Sequence, residues 1–203
     1  MQNLHGLVVC GGQSSRMGQD KSLIEYHGKP QWLYLYEMLK LLCKDVSVSC
    51  SKHQIPNFIP PPPLLPDDSE FENAGPMAAL LTAFLKFPED SFLVIGCDYP
   101  FVTSRDIQQL IDARREKMSA VCFYLQAEEP LLAIYEADIQ SVIRKHFSNS
   151  DFSLLNVLRK SRIHKITPTS ETTITSVDTP HAKKLALIAL QNKSNQAGHF
   201  HTP

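Results

Sequence analysis

The stretch at residues 4–21, LHGLVVCGGQSSRMGQDK, decides the fold class of this chain. Its first part, residues 4–10, is a short apolar run that stops at two glycines, which is typical of a buried parallel strand. A polar segment follows, and residues 31–43 (QWLYLYEMLKLLC) then repeat apolar side chains at helical spacing. A buried strand, a glycine-rich turn and a helix in this order predict the opening unit of an α/β domain.

Strand and helix patterns alternate over the first two-thirds of the chain. Strands are predicted at 46–50, 92–96, 120–125, 131–135 and 163–166, and helices at 76–87, 103–117, 138–147, 153–160 and 180–190. Residues 55–68 hold six of the fourteen prolines and are predicted to be an extended surface loop. The pattern predicts a mainly parallel sheet with helices on both faces, in one domain over residues 1–192, with a disordered tail over residues 193–203.

Composition narrows the function classes. The chain has 203 residues and a net charge of -1, which argues against a nucleic-acid partner held by a basic face. No apolar run approaches the roughly 20 residues of a membrane span, and the N-terminus lacks the features of a signal peptide, so a cytoplasmic protein is expected. The five cysteines lack zinc-finger spacing and are predicted to be buried apolar residues in a reducing compartment.

The glycine-rich segment at residues 11–21 is the best candidate for binding an anion. It lacks the glycine that a Walker A loop has immediately before its lysine, and it has no G-x-G fingerprint of a dinucleotide site. However, Gly11, Gly12 and Gly18 let backbone amides approach phosphate oxygens, while Arg16 supplies a planar cation and Lys21 a compact one. The alternative is a solvated glycine-rich turn.

Carboxylates at the ends of predicted elements are candidate metal ligands. Asp98 directly follows an apolar strand, where a carboxylate costs desolvation energy unless a cation is close, and Mg²⁺ is held by such groups together with substrate phosphates. Asp178 precedes a helix that begins at Pro180, so helix capping is its main alternative role. Asp67 and Asp68 end the proline-rich loop and are expected to be surface charges when judged alone.

Several motifs together resemble a known family. The segment GGQSSRMGQDKSL at 11–23, followed by HGKP at 27–30, is similar to the opening signature of the molybdenum cofactor guanylyltransferase family in the NTP-transferase superfamily. Four shorter elements follow in the family's order, covering about residues 7–187: an aspartate seven positions before the Gly-Pro pair at 75–76, IGCDYPF at 95–101, EPLLA at 129–133 and VDTP at 177–180.

The resemblance implies a Rossmann-like nucleotidyltransferase domain with a mixed sheet. Members of the family transfer GMP from GTP to molybdopterin, forming molybdopterin guanine dinucleotide and pyrophosphate with Mg²⁺ as cofactor, and two glycines at 11–12 favour guanine. Molybdoenzyme maturation proteins are candidate partners, and no nucleic acid or membrane is expected as one. Two alternatives stay open: a cytidylyl or sugar-phosphate nucleotidyltransferase, and a non-catalytic nucleotide-binding protein.

The resemblance also implies roles for individual residues. Arg16 and Lys21 would stabilise the departing pyrophosphate, Asp98 would hold magnesium, and Asp68 would contact the guanine or the ribose. Asp178 would be a second metal ligand, although Ser176 and His181 depart from the family pattern beside it. The nucleotide-binding positions implied in this way are Val9, Cys10, Gly11, Gly12, Ser14, Ser15, Lys21, Asp68, Gly75 and Asp98.

Overall fold

The computed structural model describes residues 2–11 and 19–198, and the elements found there form one sheet with helices around it. The strands are β1 Leu4–Val9, β2 Asp45–Cys50, β3 Leu64–Pro66, β4 Ser91–Gly96, β5 Ala120–Tyr124, β6 Glu128–Tyr135 and β7 Ile163–Ile166. The helices are α1 Gln31–Lys40, α2 Pro76–Lys86, α3 Ser104–Asp112, α4 Gln140–Ser148, α5 Leu154–Arg159 and α6 Pro180–Gly198.

The sheet has the order β3-β2-β1-β4-β6-β5-β7, and only β6 runs antiparallel to its neighbours within this described sheet. The prediction of a mainly parallel, mixed sheet is therefore confirmed. The chain leaves β1 toward β2 and β3 on one side and returns to β4 on the other. This reversal opens a crevice at the carboxyl ends of β1 and β4, the position where sheets of this kind bind ligands.

Helices cover both faces of the sheet, as predicted. On one face α2, α4 and α5 bury an apolar core against the strands, with Leu80, Ile143 and Val157 fully buried. On the other face α1 and α3 do the same, with Leu35 and Ile107 fully buried. Alternating strand residues supply both cores, as the two-residue period of a strand requires. All five cysteines are free and buried, which confirms the prediction of buried thiols.

The proline-rich segment contains a strand that the sequence analysis missed. β3 pairs with β2 in parallel, from Val48 beside Leu64 to Cys50 beside Pro66. Prolines are tolerated there because β3 is the edge strand and needs ladder bonds on one side only. The N–H of Val48 donates to the Pro63 carbonyl oxygen at 2.9 Å, and the N–H of Asp67 donates to the Cys50 carbonyl oxygen at 2.9 Å.

Two helix ends also differ from prediction. α3 ends at Asp112 rather than near residue 117, because the backbone turns after it and reaches a positive φ of 68° at Lys117. α6 continues to Gly198, past its predicted end at residue 190 and into the stretch predicted as a tail, since no proline interrupts the helix before that glycine. Residues 199–203 of the predicted tail lie outside the described residues, and the domain limit at residue 192 stays a prediction.

The last helix packs over the carboxyl edge of the sheet. Ile24 and Tyr26 form a small apolar cluster with Val177 and with Ala186 of α6, all of them buried. This cluster fixes the residues that follow the glycine-rich segment against α6 and against Val177, which precedes that helix. No helix in the part of the chain that the structure describes is long and apolar enough to span a membrane.

Candidate active site

The crevice between β1 and β4 brings two of the predicted segments together. The ladder continues one residue past each strand, because the N–H of Cys97 donates to the Val9 carbonyl oxygen at 3.2 Å. Gly11 and Asp98 therefore lie just past the ends of neighbouring strands, at the same edge of the sheet. The predicted site residues Gly12, Ser14, Ser15 and Arg16 lie outside the described residues, as does Gly18.

Val9 and Cys10 are buried at the end of β1, and their role in nucleotide binding stays a prediction. Val9 is 3% exposed and Cys10 is 7% exposed. The N–H of Cys10 donates to the Ser49 carbonyl oxygen at 2.9 Å, its carbonyl oxygen accepts from the Gln54 amide at 3.2 Å, and its Sγ lies 3.2 Å from Cys97 Sγ. Of the three predicted positions at the end of β1, only Gly11 reaches the surface.

Asp98 is held in place by the segment that precedes α6. The Ser176 hydroxyl donates to Asp98 Oδ2 at 2.7 Å, and the N–H of Val177 donates to the Asp98 carbonyl oxygen at 2.7 Å. A Cβ atom at Gly96 would lie 2.5 Å from Asp98 Oδ1, so this position of the carboxylate requires glycine two residues earlier. Ser176, although it departs from the family pattern, thus still orients Asp98.

Asp178 follows directly after this junction and is partly exposed. Capping of α6 falls to Thr179, whose Oγ1 accepts from the N–H of Ala182 at 3.2 Å. Asp98 and Asp178 offer the carboxylate oxygens that suit a hard cation such as Mg²⁺. Among the described residues, no group of three or more His, Cys, Asp or Glu side chains is arranged to hold a metal ion. Metal binding by Asp98 and Asp178 stays a prediction.

The charge around Asp98 also favours a cation. The Tyr99 hydroxyl donates to Glu129 Oε2 at 2.8 Å. Burial raises the pKa of Glu129, and the charge of Asp98 raises it further. Burial likewise raises the pKa of Tyr26 to about 12, with Asp98 adding to the shift. Asp98 thus acts on a second carboxylate, Glu129, and on the Tyr26 hydroxyl, and the sequence motifs contain Glu129 without assigning it a role.

Lys21 begins the 3-10 turn Lys21–Leu23 at the far end of the glycine-rich segment. Asp20 caps this turn, because its Oδ1 accepts from the N–H of Ser22 at 3.0 Å and from the Ser22 hydroxyl at 2.7 Å. Lys21 is partly exposed and forms no ion pair with another residue that the structure describes. Its ammonium group is therefore available to an anion.

A cavity of about 720 Å³ opens beside this turn, next to the ends of β2 and β3 and the start of α2. Gly75, with a φ of 58°, lines it where α2 begins, and its role in nucleotide binding stays a prediction. The other lining residues are Asp20, Ser51, His53, Gln54, Asn57, Asp67, Asn73, Pro76 and Ala78. Seven of these ten lining residues carry polar side chains.

The structure brings Asp67 into the cavity and turns Asp68 away from it. Asp67 Oδ1 accepts from the Ser49 hydroxyl at 3.1 Å, and a Cβ atom at Gly11 would lie 3.4 Å from Asp67 Oδ2. Burial raises the pKa of Asp67 despite the hydrogen bond from Ser49. Asp68 instead caps a short turn, since its Oδ1 accepts from the N–H of Glu70 at 2.9 Å. Asp67 rather than Asp68 therefore lines the cavity, because of the pairing of β3 with β2, and the nucleotide contact of Asp68 stays a prediction.

Comparison with known proteins identifies the family of this arrangement. The model of the MobA-like NTP transferase domain matches residues 6–166. A molybdenum cofactor biosynthesis bifunctional protein of Synechocystis sp. is 37% identical over 125 residues, which are 59% of this chain and 34% of that protein. A probable molybdenum cofactor guanylyltransferase of Geobacillus sp. is 24% identical over 169 residues, 82% of this chain and 87% of that one.

A solved structure supports the fold independently. Molybdopterin-guanine dinucleotide biosynthesis protein A from Archaeoglobus fulgidus superimposes with a TM-score of 0.75 at 17% identity, over 93% of this chain and 99% of that one. The order of the sheet, the site at its carboxyl edge and the match over residues 6–166 all agree with the family indicated by the sequence motifs. This chain belongs to the MobA-like NTP transferase family and is a nucleotidyltransferase.

Proposed function

We propose that this enzyme transfers GMP from GTP to the phosphate of molybdopterin, forming molybdopterin guanine dinucleotide and releasing pyrophosphate. The observation that carries the proposal is the row of groups at the carboxyl edge of the sheet. The turn that carries Lys21, whose side chain forms no ion pair with another described residue, borders a cavity lined by the half-buried Asp67, and the oriented carboxylate of Asp98 lies at the same edge of the sheet. The names of the relatives from Synechocystis and Geobacillus support molybdopterin and the guanylyl group.

The cavity beside β2 and β3 would receive the nucleoside. Its volume of about 720 Å³ suits a purine nucleoside, since ligand pockets commonly measure about 300–1,000 Å³. Guanine presents a ring N–H and an amino group, both donors, and a carboxylate only accepts. Asp67 is better placed than Asp68 for this contact or for the ribose hydroxyls, because Asp67 lines the cavity whereas the Asp68 carboxylate caps a turn.

Asp98 and Asp178 would hold Mg²⁺ together with phosphate oxygens of the nucleotide. When bound, the ion would polarise the α-phosphate and offset the charge of the triphosphate. Ser176 keeps one oxygen of Asp98 in a fixed direction, and Gly96 leaves room for the other. The residues present thus fit the cation that the family implies.

The reaction would be an in-line displacement at the α-phosphorus. A terminal phosphate oxygen of the acceptor forms the new bond to phosphorus while the bond to the β-phosphate oxygen breaks, and the electron pair leaves with pyrophosphate. The attacking oxygen is already ionised, so no strong general base is needed, and catalysis rests on positioning and neutralisation of charge. Lys21 would stabilise the leaving pyrophosphate, and the same role is proposed for Arg16, outside the described residues.

Incubation with GTP, Mg²⁺ and molybdopterin, with the products read by mass spectrometry, tests the proposal. Molybdopterin guanine dinucleotide and an equal amount of pyrophosphate are the expected products. Thermal shifts with GTP, CTP, UTP and ATP, each with Mg²⁺, provide the matched comparison, and GTP should give the largest shift. A larger shift with CTP, or pyrophosphate release only with a sugar phosphate as acceptor, would contradict it. A cytoplasmic location and binding to molybdoenzyme maturation proteins stay predictions of the sequence.

A further inference from the structure

Gln54 is a buried side chain that connects the two ends of the glycine-rich segment. It is 6% exposed. Its Nε2 donates to the Cys10 carbonyl oxygen at 3.2 Å, just before Gly11, and to Asp20 Oδ2 at 2.8 Å, just before Lys21. One amide group therefore joins the residue before Gly11 to the residue before Lys21.

The orientation of this amide is determined by its neighbours. The carbonyl oxygen of Cys10 and the carboxylate of Asp20 only accept hydrogen bonds, so both must face the NH₂ group. The backbone N–H of Ser51 only donates, and it reaches Gln54 Oε1 at 3.0 Å, with the Ser51 hydroxyl at 2.8 Å. All four hydrogen-bonding positions of the amide are occupied, which is the arrangement expected of a buried polar group that fixes its surroundings.

The bond to Asp20 continues to the turn that carries Lys21. Asp20 accepts from Gln54 with one carboxylate oxygen and caps the turn at Ser22 with the other. Rotation of the Asp20 side chain would break both bonds. The direction of the first residue of the turn, Lys21, thus depends on Gln54.

We infer that Gln54 is a positioning residue of the reaction, which sets the place of Lys21 relative to the end of β1. This inference rests on the proposed function, in which Lys21 meets the leaving pyrophosphate. Glutamine suits the position because its NH₂ group donates twice. Glutamate would place a second carboxylate against Asp20, and methionine would fill a similar volume without either donor.

Hydrogen exchange tests the structural half of the inference without any ligand. In Gln54→Met, the amides of Ser22 and Ile24 should exchange at least about tenfold faster than in the wild type, because the cap of their turn is loosened. Gln140→Met is the matched control. The Gln140 amide donates to the carbonyl oxygens of Pro88 and Ala137, outside the site, and this variant should leave those amides unchanged.

A double-mutant cycle tests the functional half, with magnesium pyrophosphate as the probe. Pyrophosphate carries the charge that Lys21 is proposed to meet, so its affinity, measured by calorimetry, reports that contact without turnover. Gln54→Met should weaken binding about tenfold in the wild-type background and less than about twofold in Lys21→Ala, since residues that act through one another are not additive. A merely structural role would give equal losses in both backgrounds.

Ser51→Ala provides a milder variant in case Gln54→Met does not fold. It removes one of the two donors to Gln54 Oε1 and should produce the same pattern with a smaller change. Unchanged exchange at Ser22 and Ile24, or equal losses of affinity in the two backgrounds, would overturn the role of Gln54. If the wild type binds magnesium pyrophosphate but transfers no GMP, the proposed function is wrong. The double-mutant cycle then still tests whether Gln54 positions Lys21. A wild type without measurable affinity for magnesium pyrophosphate would overturn both.

Discussion

The two ends of the sheet surround their carboxylates differently. At the amino end of the parallel strands, Glu136 accepts two hydrogen bonds from Arg114, at 2.8 and 2.7 Å, and one from Ser91 at 2.6 Å. Burial alone would raise its pKa, but these bonds lower it. At the carboxyl end, burial raises the pKa of Asp67 and Glu129, whose side-chain hydrogen-bond donors in the described part of the chain are the neutral hydroxyls of Ser49 and Tyr99.

This difference separates a stabilising end from a binding end. A carboxyl group with a lowered pKa stabilises the fold at neutral pH, and that contribution is lost as the pH falls through the folded-state pKa. A carboxyl group with a raised pKa does the opposite, because its ionised form costs stability until it is protonated. Asp67 and Glu129 therefore hold negative charge at a cost to the fold, which a bound ligand, a cation or a donor group would offset.

A substitution at the amino end of the parallel strands should give the largest effect, a decrease in the free energy of unfolding. Arg114→Met leaves the Glu136 carboxylate buried without its cation, and breaking such a pair costs about 3 kcal/mol. Urea unfolding measures this loss. Turnover per folded molecule should stay at the wild-type value, because the pair lies at the opposite end of the sheet from Asp98.

The double variant Arg114→Met with Glu136→Gln is the control for this experiment. It removes the stranded charge and should recover most of the lost stability. If turnover falls in Arg114→Met while the protein remains folded, the separation between the two ends is wrong.

Lys21→Ala should give the next largest effect, on catalysis. Charge develops on the pyrophosphate as its bond to the α-phosphorus breaks, so the loss of this cation should reduce turnover about 10²-fold, with a smaller effect on GTP affinity. Pre-steady-state measurement of the chemical step at saturating GTP provides the check. Lys21→Arg should rescue poorly, because a planar guanidinium does not replace a compact ammonium. Equal rates in wild type and Lys21→Ala would reject the catalytic role.

Asp98→Asn should reduce turnover at least about tenfold, because the amide weakens the proposed hold on Mg²⁺. Its melting temperature should stay the same or rise, since the change removes a charge from an acidic neighbourhood that includes Glu129. Steady-state assays across a Mg²⁺ titration, together with thermal melts, measure both effects. Wild-type turnover in a folded Asp98→Asn protein would exclude this carboxylate as a metal ligand.

The strands and the edge of the sheet that carry the site were easier to predict from the sequence than the side chains that line the cavity. The run at residues 92–96 is apolar and ends at Gly96, and Asp98 follows after one further residue. The strand, the crevice at its carboxyl end and the position of Asp98 there can therefore be predicted from the sequence alone. The order of the strands within the sheet could not be predicted from these local patterns. The edge strand β3 lies in a proline-rich segment that reads as a loop, and its pairing with β2 is what places Asp67 beside Ser49.

Gln54 was missed for a related reason. It lies in a six-residue 3-10 turn, Lys52–Asn57, with no apolar period or motif to mark it. Its partners Cys10 and Asp20 are 44 and 34 positions away in the chain. Side-chain bonds of this range depend on the assembled sheet, whereas the helix cap at Thr103 was predictable because donor and acceptor are three residues apart.

The choice between Asp67 and Asp68 can be sharpened by paired variants. Asp67→Asn should raise the Michaelis constant for GTP between about fivefold and a hundredfold, since an unmatched hydrogen-bonding group costs about 1–3 kcal/mol. Asp68→Asn is the control and should leave the Michaelis constant unchanged, because this carboxylate caps a turn. Calorimetric titration with GTP measures both affinities. A loss in Asp68→Asn and none in Asp67→Asn would return the contact to the residue that the sequence motif indicates.

Glu128 should give the smallest effect on stability. It tests whether pairing with a cation, rather than position in the sheet, decides if a carboxylate stabilises the fold, because it lies at the carboxyl edge but pairs with Lys165 and Arg159. The hydrogen bond from Lys165 is the main cause that lowers its pKa from 4.5 to about 2, and Arg159 adds to it. Its contribution to stability is therefore present above pH 4.5 and is lost as the pH falls toward 2. Glu128→Gln should be less stable than the wild type at pH 7. The loss should be less than half of that in Arg114→Met, because Lys165 and Arg159 are exposed. The difference should shrink as the pH falls through that window.

Glu129→Gln should change stability in the opposite direction, because the pKa of Glu129 is raised. This variant should match or exceed the stability of the wild type at pH 7, and any gain should vanish as Glu129 is protonated in the wild type. Urea midpoints for the three proteins between pH 3 and 7 decide the matter, and the same sign of change in both variants would show that pairing does not separate these two neighbouring carboxylates.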